Sequence, residues 1–168
     1  SNWRLPLCKC CIFYGNISMP KGFEVEEKSL TSDILESKLF ENKFKNSKTF
    51  DRLNTYISEH IYLKYKFNLI YKDTFGDVYE SEEISSPLIN VDPVDLKNSP
   101  DFTLLYGVSV NDCTVKIHYD DNRRKGRSWD IPLRTNSFIM FPSTNMYFIS
   151  NNQKHSLNFI QTILYEYR

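Results

Sequence analysis

The chain has 168 residues, 40% of them hydrophobic and 15% aromatic, and its 21 basic and 21 acidic residues cancel to zero formal charge. A chain of this length buries a core without disulfide or metal staples, and its 12 Phe and 11 Tyr supply much of that burial. Zero net charge excludes a nucleic-acid-binding field over the whole surface and leaves only local basic patches.

Alanine is absent, whereas Asn, Lys, Ile, Phe and Tyr abound. No folding rule requires this, and it has the look of the codon bias of an AT-rich genome, such as that of a phage, organelle or parasite. Cys8, Cys10, Cys11 and Cys113 form neither a disulfide framework nor the paired CxxC of a zinc site. They are expected to be reduced thiols in a reducing compartment. No run approaches the roughly 20 apolar residues of a membrane span, and the start lacks a signal peptide's layout. The expectation is a soluble, single-domain protein over residues 1–168, with residues 1–80 as support for strands in residues 101–168.

Residues 5–18 are apolar and β-prone, and Pro20-Lys21-Gly22 closes them as a turn. From Thr31 the period changes. Ser32 or Asp33 can cap a helix with Ile34, Leu35, Leu39 and Phe40 on one face, ended by Asn46-Ser47. A second helix is predicted from Thr49 or Asp51, with Phe50, Leu53, Ile57 and Ile61 at helical spacing and His60 as a structural member. Tyr65, Phe67, Leu69 and Tyr71 alternate with polar residues as a strand does. Asp73 to Asp77 is expected to turn it, so that Val78-Tyr79 pairs back. Residues 81–101, with Pro87, Pro93 and Pro100, are expected to be an irregular loop. Four strand-like segments follow: Phe102 to Val110, Cys113 to Asp120, Trp129 to Met140 and Leu157 to Tyr167. Their spacing and tight polar connections predict an antiparallel sandwich or barrel.

Over roughly residues 90–168, the segments LLYGVSV, CTVKIHYDD, WDIPLRTNSFIMFPSTNMYFIS and LNFIQTILYEY resemble the second half of a known fold. It is the double-stranded β-helix of the iron- and 2-oxoglutarate-dependent oxygenases. The nearest kind is the prolyl-4-hydroxylase-like group, including versions carried by tailed phages of marine cyanobacteria. The resemblance implies an α+β fold, with N-terminal helices packed on an antiparallel double-stranded β-helix (jelly-roll) sheet. It also implies three iron ligands, a His-x-Asp and a distal His, with a basic residue on the last strand gripping the far carboxylate of 2-oxoglutarate. At those positions this chain has Asn90-Val91-Asp92, Tyr147, and Leu157 or Asn158. Of these only Asp92 is a plausible ligand, and imidazole is what suits ferrous iron there.

Two readings stay open. In the first, the chain is a non-catalytic domain without cofactor, a phage or viral binding or virion-associated structural protein that meets a protein partner or itself. In the second, it is a divergent hydroxylase using Fe(II) and 2-oxoglutarate. Its ligands would then be His118 and Asp120, a literal His-x-Asp whose members share a strand face, with His155 downstream. Separately, Arg123, Arg124, Lys125 and Arg127 put four positive charges at a hairpin tip near Tyr119 and Trp129. Arginine forks grip phosphate and aromatic rings stack on bases, so a weak, salt-sensitive nucleic-acid contact is physically reasonable there.

Overall fold

The computed structural model describes residues 11–17, 27–39, 48–120 and 126–168. A short strand, β1 (Phe13–Asn16), precedes two helices, α1 (Glu27–Leu39) and α2 (Lys48–Tyr65). In α2 the predicted stripe is the buried one: Phe50, Leu53, Ile57 and Ile61 all face the core. Helix α1 starts earlier than the expected cap at Ser32 or Asp33. The added turn puts Leu30 on the face of Ile34, and those two are buried while Leu35 and Leu39 are exposed. Its hydroxyl residues do not cap. Thr31 and Ser37 donate back to the carbonyls of Lys28 and Ile34 inside the helix. Phe40 and the expected turns at Pro20-Lys21-Gly22 and Asn46-Ser47 lie outside the described residues.

Among the described residues, eight strands build two antiparallel sheets. The others are β2 (Leu69–Tyr79), β3 (Phe102–Ser109), β4 (Cys113–Asp120), β5 (Gly126–Leu133), β6 (Ser137–Pro142), β7 (Tyr147–Asn151) and β8 (Asn158–Tyr167). The larger sheet runs in the order β1-β6-β3-β8-β2 and the smaller in the order β5-β4-β7.

Three strand expectations are corrected. There is no hairpin at Asp73–Asp77: β2 is one strand, paired along its length with β8 and absorbing a bulge between Tyr71 and Asp73. Gly76 is there for close packing, because a Cβ on it would stand 2.4 Å from Cγ1 of Ile34 on α1. The segment from Trp129 to Met140 is two strands in different sheets, separated by a turn at Arg134–Asn136 in which Asn136 has φ 60°. Strand β7 falls in a stretch where no separate strand was expected; it is short and alternates buried with half-buried residues.

Alternation along the strands of the larger sheet makes two cores. Leu104, Tyr106, Phe138, Met140, Ile163 and Tyr165 face the helices. Leu105, Ile139, Phe141 and Ile160 face Val115, Ile117, Ile131 and Ile149 of the smaller sheet. Strand β3 is covered on both sides, so its first seven residues are all buried. Tyr165 ties the layers together. Its buried hydroxyl donates to Asn54 Oδ1 (2.9 Å) and accepts from Ser58 Oγ (3.3 Å), both on α2, and burial pushes its pKa up. No helix among the described residues is long and apolar enough to cross a membrane.

Candidate functional site

Residues 83–90 lie along the free edge of β7 as an irregular fourth member of the smaller sheet. The Ser85 N–H donates to the Ile149 carbonyl (2.8 Å), and Leu88 and Tyr147 exchange both backbone hydrogen bonds at 2.9 Å. Pro87 lacks an N–H, which keeps this edge from forming a regular ladder. The pairing of Leu88 with Tyr147 is what delivers Asn90 to the start of β7.

There the Asn90 amide Nδ2 donates to the Tyr147 phenol oxygen at 3.0 Å and to Thr103 Oγ1 at 3.1 Å. Thr103 Oγ1 in turn meets Ser143 Oγ at 2.9 Å. Thr103, Ser143 and Tyr147 are buried and Asn90 half-buried. The Tyr147 ring packs edge-on to Phe141, with centroids 5.0 Å apart. Burial pushes the Tyr147 hydroxyl up to about 12, against the downward pull of the Asn90 hydrogen bond, and the Asp77 charge adds to the rise. It is a neutral phenol at any physiological pH. Two positions that the oxygenase resemblance aligns with metal ligands, Asn90 and Tyr147, thus do meet, and they meet as a neutral hydrogen-bonded pair. Ser143 belongs to the Phe-Pro-Ser motif; Thr103 gave no signal in its mostly apolar strand.

The donor set does not fit ferrous iron. Asn90 presents its N–H side to Tyr147, and Tyr147 keeps its proton. Asp92 is exposed, with Oδ1 accepting the Val94 N–H (2.9 Å) and its backbone N–H bonded to Ser99 Oγ (2.9 Å), so its carboxylate closes a turn of its own loop. At the family's basic position Asn158 is fully buried, its Oδ1 accepting the Asn111 N–H at 3.0 Å; Leu157 is exposed.

The structure does not bring His118 and His155 together. On β4, Cys113, Val115 and Ile117 point into the core, so His118 lies on the outer face, edge-on to Phe148 at 5.2 Å. His155 is exposed in the loop after Asn151, which pairs with Cys113 at the other end of β4. The five steps along β4 from Cys113 to His118 span about 16 Å, too far for one ion to bridge. Asp120 ends β4 opposite Gly126, and its side chain lies outside the described residues. Among the described residues no three His, Cys, Asp or Glu side chains converge as metal ligands would.

Of the basic tip, Arg123, Arg124 and Lys125 lie outside the described residues, and Arg127 is an exposed residue of β5 paired with Tyr119. Beside it Trp129 Nε1 donates to the Tyr119 hydroxyl (3.0 Å), their rings at 63° with centroids 5.0 Å apart.

No protein-family profile matches the chain, and no curated protein is similar to it in sequence. Solved structures are similar in shape. The non-heme α-ketoglutarate-dependent epimerase SnoN of nogalamycin biosynthesis superposes with a TM-score of 0.62 at 10% identity, covering 92% of this chain and 76% of that one. The viral collagen prolyl hydroxylase of Paramecium bursaria Chlorella virus-1 gives 0.61 at 10% identity, covering 92% and 94%. A Pseudomonas putida prolyl-4-hydroxylase gives 0.57 at 10% identity, covering 94% and 92%. In fold the chain is similar to these proteins: it is a double-stranded β-helix like theirs.

Proposed function

We propose that this chain is a non-catalytic double-stranded β-helix that works by binding a partner, another protein or a second copy of itself. The observation that carries the proposal is the Asn90–Tyr147 hydrogen bond. On the alignment that the resemblance implies, an amide and a protonated phenol stand at two imidazole positions, and neither substitutes well for imidazole toward a ferrous ion. The neutral Leu157 or Asn158 where the resemblance puts the family's carboxylate-gripping base supports the same reading, since a buried dicarboxylate needs a cation or equivalent donors. The alanine-free composition fits a phage or viral source, and a virion-associated or host-cytoplasmic setting belongs to this proposal.

The test is anaerobic titration of the purified chain with ferrous iron and 2-oxoglutarate, recording the weak metal-to-ligand charge-transfer band of a ternary complex. The expected outcome is no band. A band that vanishes in Asp92→Ala or His118→Ala would establish the hydroxylase reading instead.

The exposed Tyr119–Trp129 pair beside Arg127 supports a second, weaker activity, a contact with single-stranded nucleic acid. Binding of wild type and of an Arg123→Ala/Arg124→Ala variant to DNA and RNA is to be compared at low and moderate salt. Equal binding by the two proteins removes that role.

A further inference from the structure

His60 is the one histidine that the sites above leave out. It stands on α2 between Ile57 and Ile61, both fully buried in the core under the helices, and is itself half-buried. Its ring meets that of Phe138 on β6 edge-on, at 71° with centroids 5.8 Å apart. Its Nε2 is buried and has no hydrogen-bond partner. Buried polar atoms are nearly always satisfied, and each exception calls for an explanation. In the neutral ring this atom can remain a bare acceptor, with the proton on Nδ1. Protonation makes it an N–H donor and spreads positive charge onto it, with no acceptor to receive either.

The surroundings offer that cation no counterion. Strand β6 carries no titratable side chain, and β1 beside it brings only Tyr14, an exposed phenol. Tyr106 of β3, paired with Phe138, is a buried phenol that donates to Asn136, and Glu27 of α1 acts on that phenol. On α2, Glu59 is exposed. Lys64, one turn beyond His60, is a cation whose Nζ lies 5.4 Å from the centre of the Tyr65 ring. Among the described residues no carboxylate comes within ion-pair distance of His60. The residue precedes the helix's last turn, so the C-terminal dipole helps little. Burial first, and the Lys64 charge second, hold its pKa below the ordinary 6.5.

We propose that His60 is an acid-sensitive latch, and that protonation of its buried Nε2 loosens α2 from the larger sheet. The folded chain favours the neutral ring. The latch is therefore closed above pH 6.5, the ordinary value, and loses its hold as the pH falls through and below it. Opening would expose the apolar face that Phe138 shares with Ile57 and Ile61. The latch lies on the helix side of the larger sheet, apart from the Asn90–Tyr147 pair, and stands or falls independently of the iron reading.

The experiment follows the imidazole Cε1–H signals of the full chain by ¹H–¹³C correlation from pH 8 to pH 4.5, with His118→Gln and His155→Gln assigning them. His60 is expected to titrate at lower pH than the exposed His155. Guanidinium unfolding at pH 7.5 and pH 5.5 then reads the latch. The wild-type midpoint should fall on acidification, and His60→Gln, neutral at both values, should lose most of that fall. Amide hydrogen exchange, corrected for its intrinsic pH dependence, gives the place: at pH 5.5 protection should drop across Ile57–Leu63 more than along β8 in wild type, and not in His60→Gln. If that variant does not fold, His60→Phe keeps a ring against Phe138 and should behave likewise, and the wild-type titration needs no His60 variant. A His60 midpoint at or above that of His155, an equal acid loss in wild type and a folded His60 variant, or unchanged protection in α2 would each overturn the proposal.

Discussion

Replacing Tyr147 with phenylalanine removes one oxygen and keeps the ring against Phe141. That oxygen accepts from Asn90 Nδ2 at 3.0 Å, and the same nitrogen also reaches Thr103 Oγ1 at 3.1 Å. The amide therefore keeps one partner, and the loss is that of a single neutral hydrogen bond, about 1 kcal/mol. For a chain of this size that lowers Tm by roughly 2–4 °C. Asn90→Ala removes the same bond from the other side, together with the bond to Thr103, whose hydroxyl keeps Ser143. The two single changes share one interaction, so the double variant should cost about 1 kcal/mol less than their sum. Guanidinium unfolding of wild type, both single variants and the double variant, at a common m value, measures that difference. Additivity within about 0.3 kcal/mol would mean that no Asn90–Tyr147 bond contributes in solution, and the binding-domain reading would lose its main support.

The burial of the tyrosines predicts alkaline sensitivity. Burial raises the hydroxyls of Tyr79, Tyr106 and Tyr165 and pushes that of Tyr147 up to about 12. A raised folded-state pKa means stability that is complete below the ordinary value of 10 and is lost as pH climbs above it. For Tyr147 the loss reaches about 2 kcal/mol by pH 12. Chemical unfolding between pH 8 and pH 11 should show a flat region and then a fall, and Tyr147→Phe should make the fall shallower. Gly107→Ala should destabilise by about 3 kcal/mol, because its Cβ would stand 2.1 Å from the Arg134 carbonyl oxygen, a backbone atom. Gly15→Ala meets nothing nearer than the flexible Lys64 ammonium at 3.4 Å and should fall within about 0.5 kcal/mol of wild type in guanidinium unfolding, which also measures Gly107→Ala.

The legible parts of the fold were those in which one period governs a whole element. In α2, Phe50, Leu53, Ile57 and Ile61 declare their face without help from the tertiary structure. Strands β3, β4 and β8 are bounded by clear polar turns. The misreadings all come from side chains whose purpose is tertiary. Gly76 and its neighbouring aspartates look like a turn in sequence, whereas the glycine makes room for Ile34 across the layer. The β5–β6 turn hides in a run whose apolar residues serve two different cores. The site was legible only through alignment to a motif. Nothing in the spacing of Asn90, Thr103, Ser143 and Tyr147 announces that they meet; the bridge between Leu88 and Tyr147 does that. His118 and His155 illustrate the converse: residue types that suit a metal stand apart, one on the outer face of β4 and one in the exposed loop after β7.

If Asn90 and Tyr147 stand where imidazoles would, putting imidazoles there should create a metal site. A histidine side chain is shorter than a tyrosine, so Asn90→His with Tyr147→His replaces a 3.0 Å donor–acceptor contact by two nitrogens with a gap between them. An ion held at about 2.1 Å from each nitrogen, at a near-tetrahedral angle, needs the nitrogens about 3.4 Å apart. Cobalt(II) is the probe, because its visible bands report nitrogen coordination directly. The double variant should bind it at least about tenfold more tightly than wild type, a difference of about 1.4 kcal/mol, and Asp92→Ala in that background should weaken binding only if the Asp92 loop turns inward. Folded double variant with wild-type cobalt affinity would show that the amide–phenol pair does not occupy the metal position, and the explanation of this chain as an oxygenase scaffold refitted with neutral hydrogen bonds would have to be abandoned.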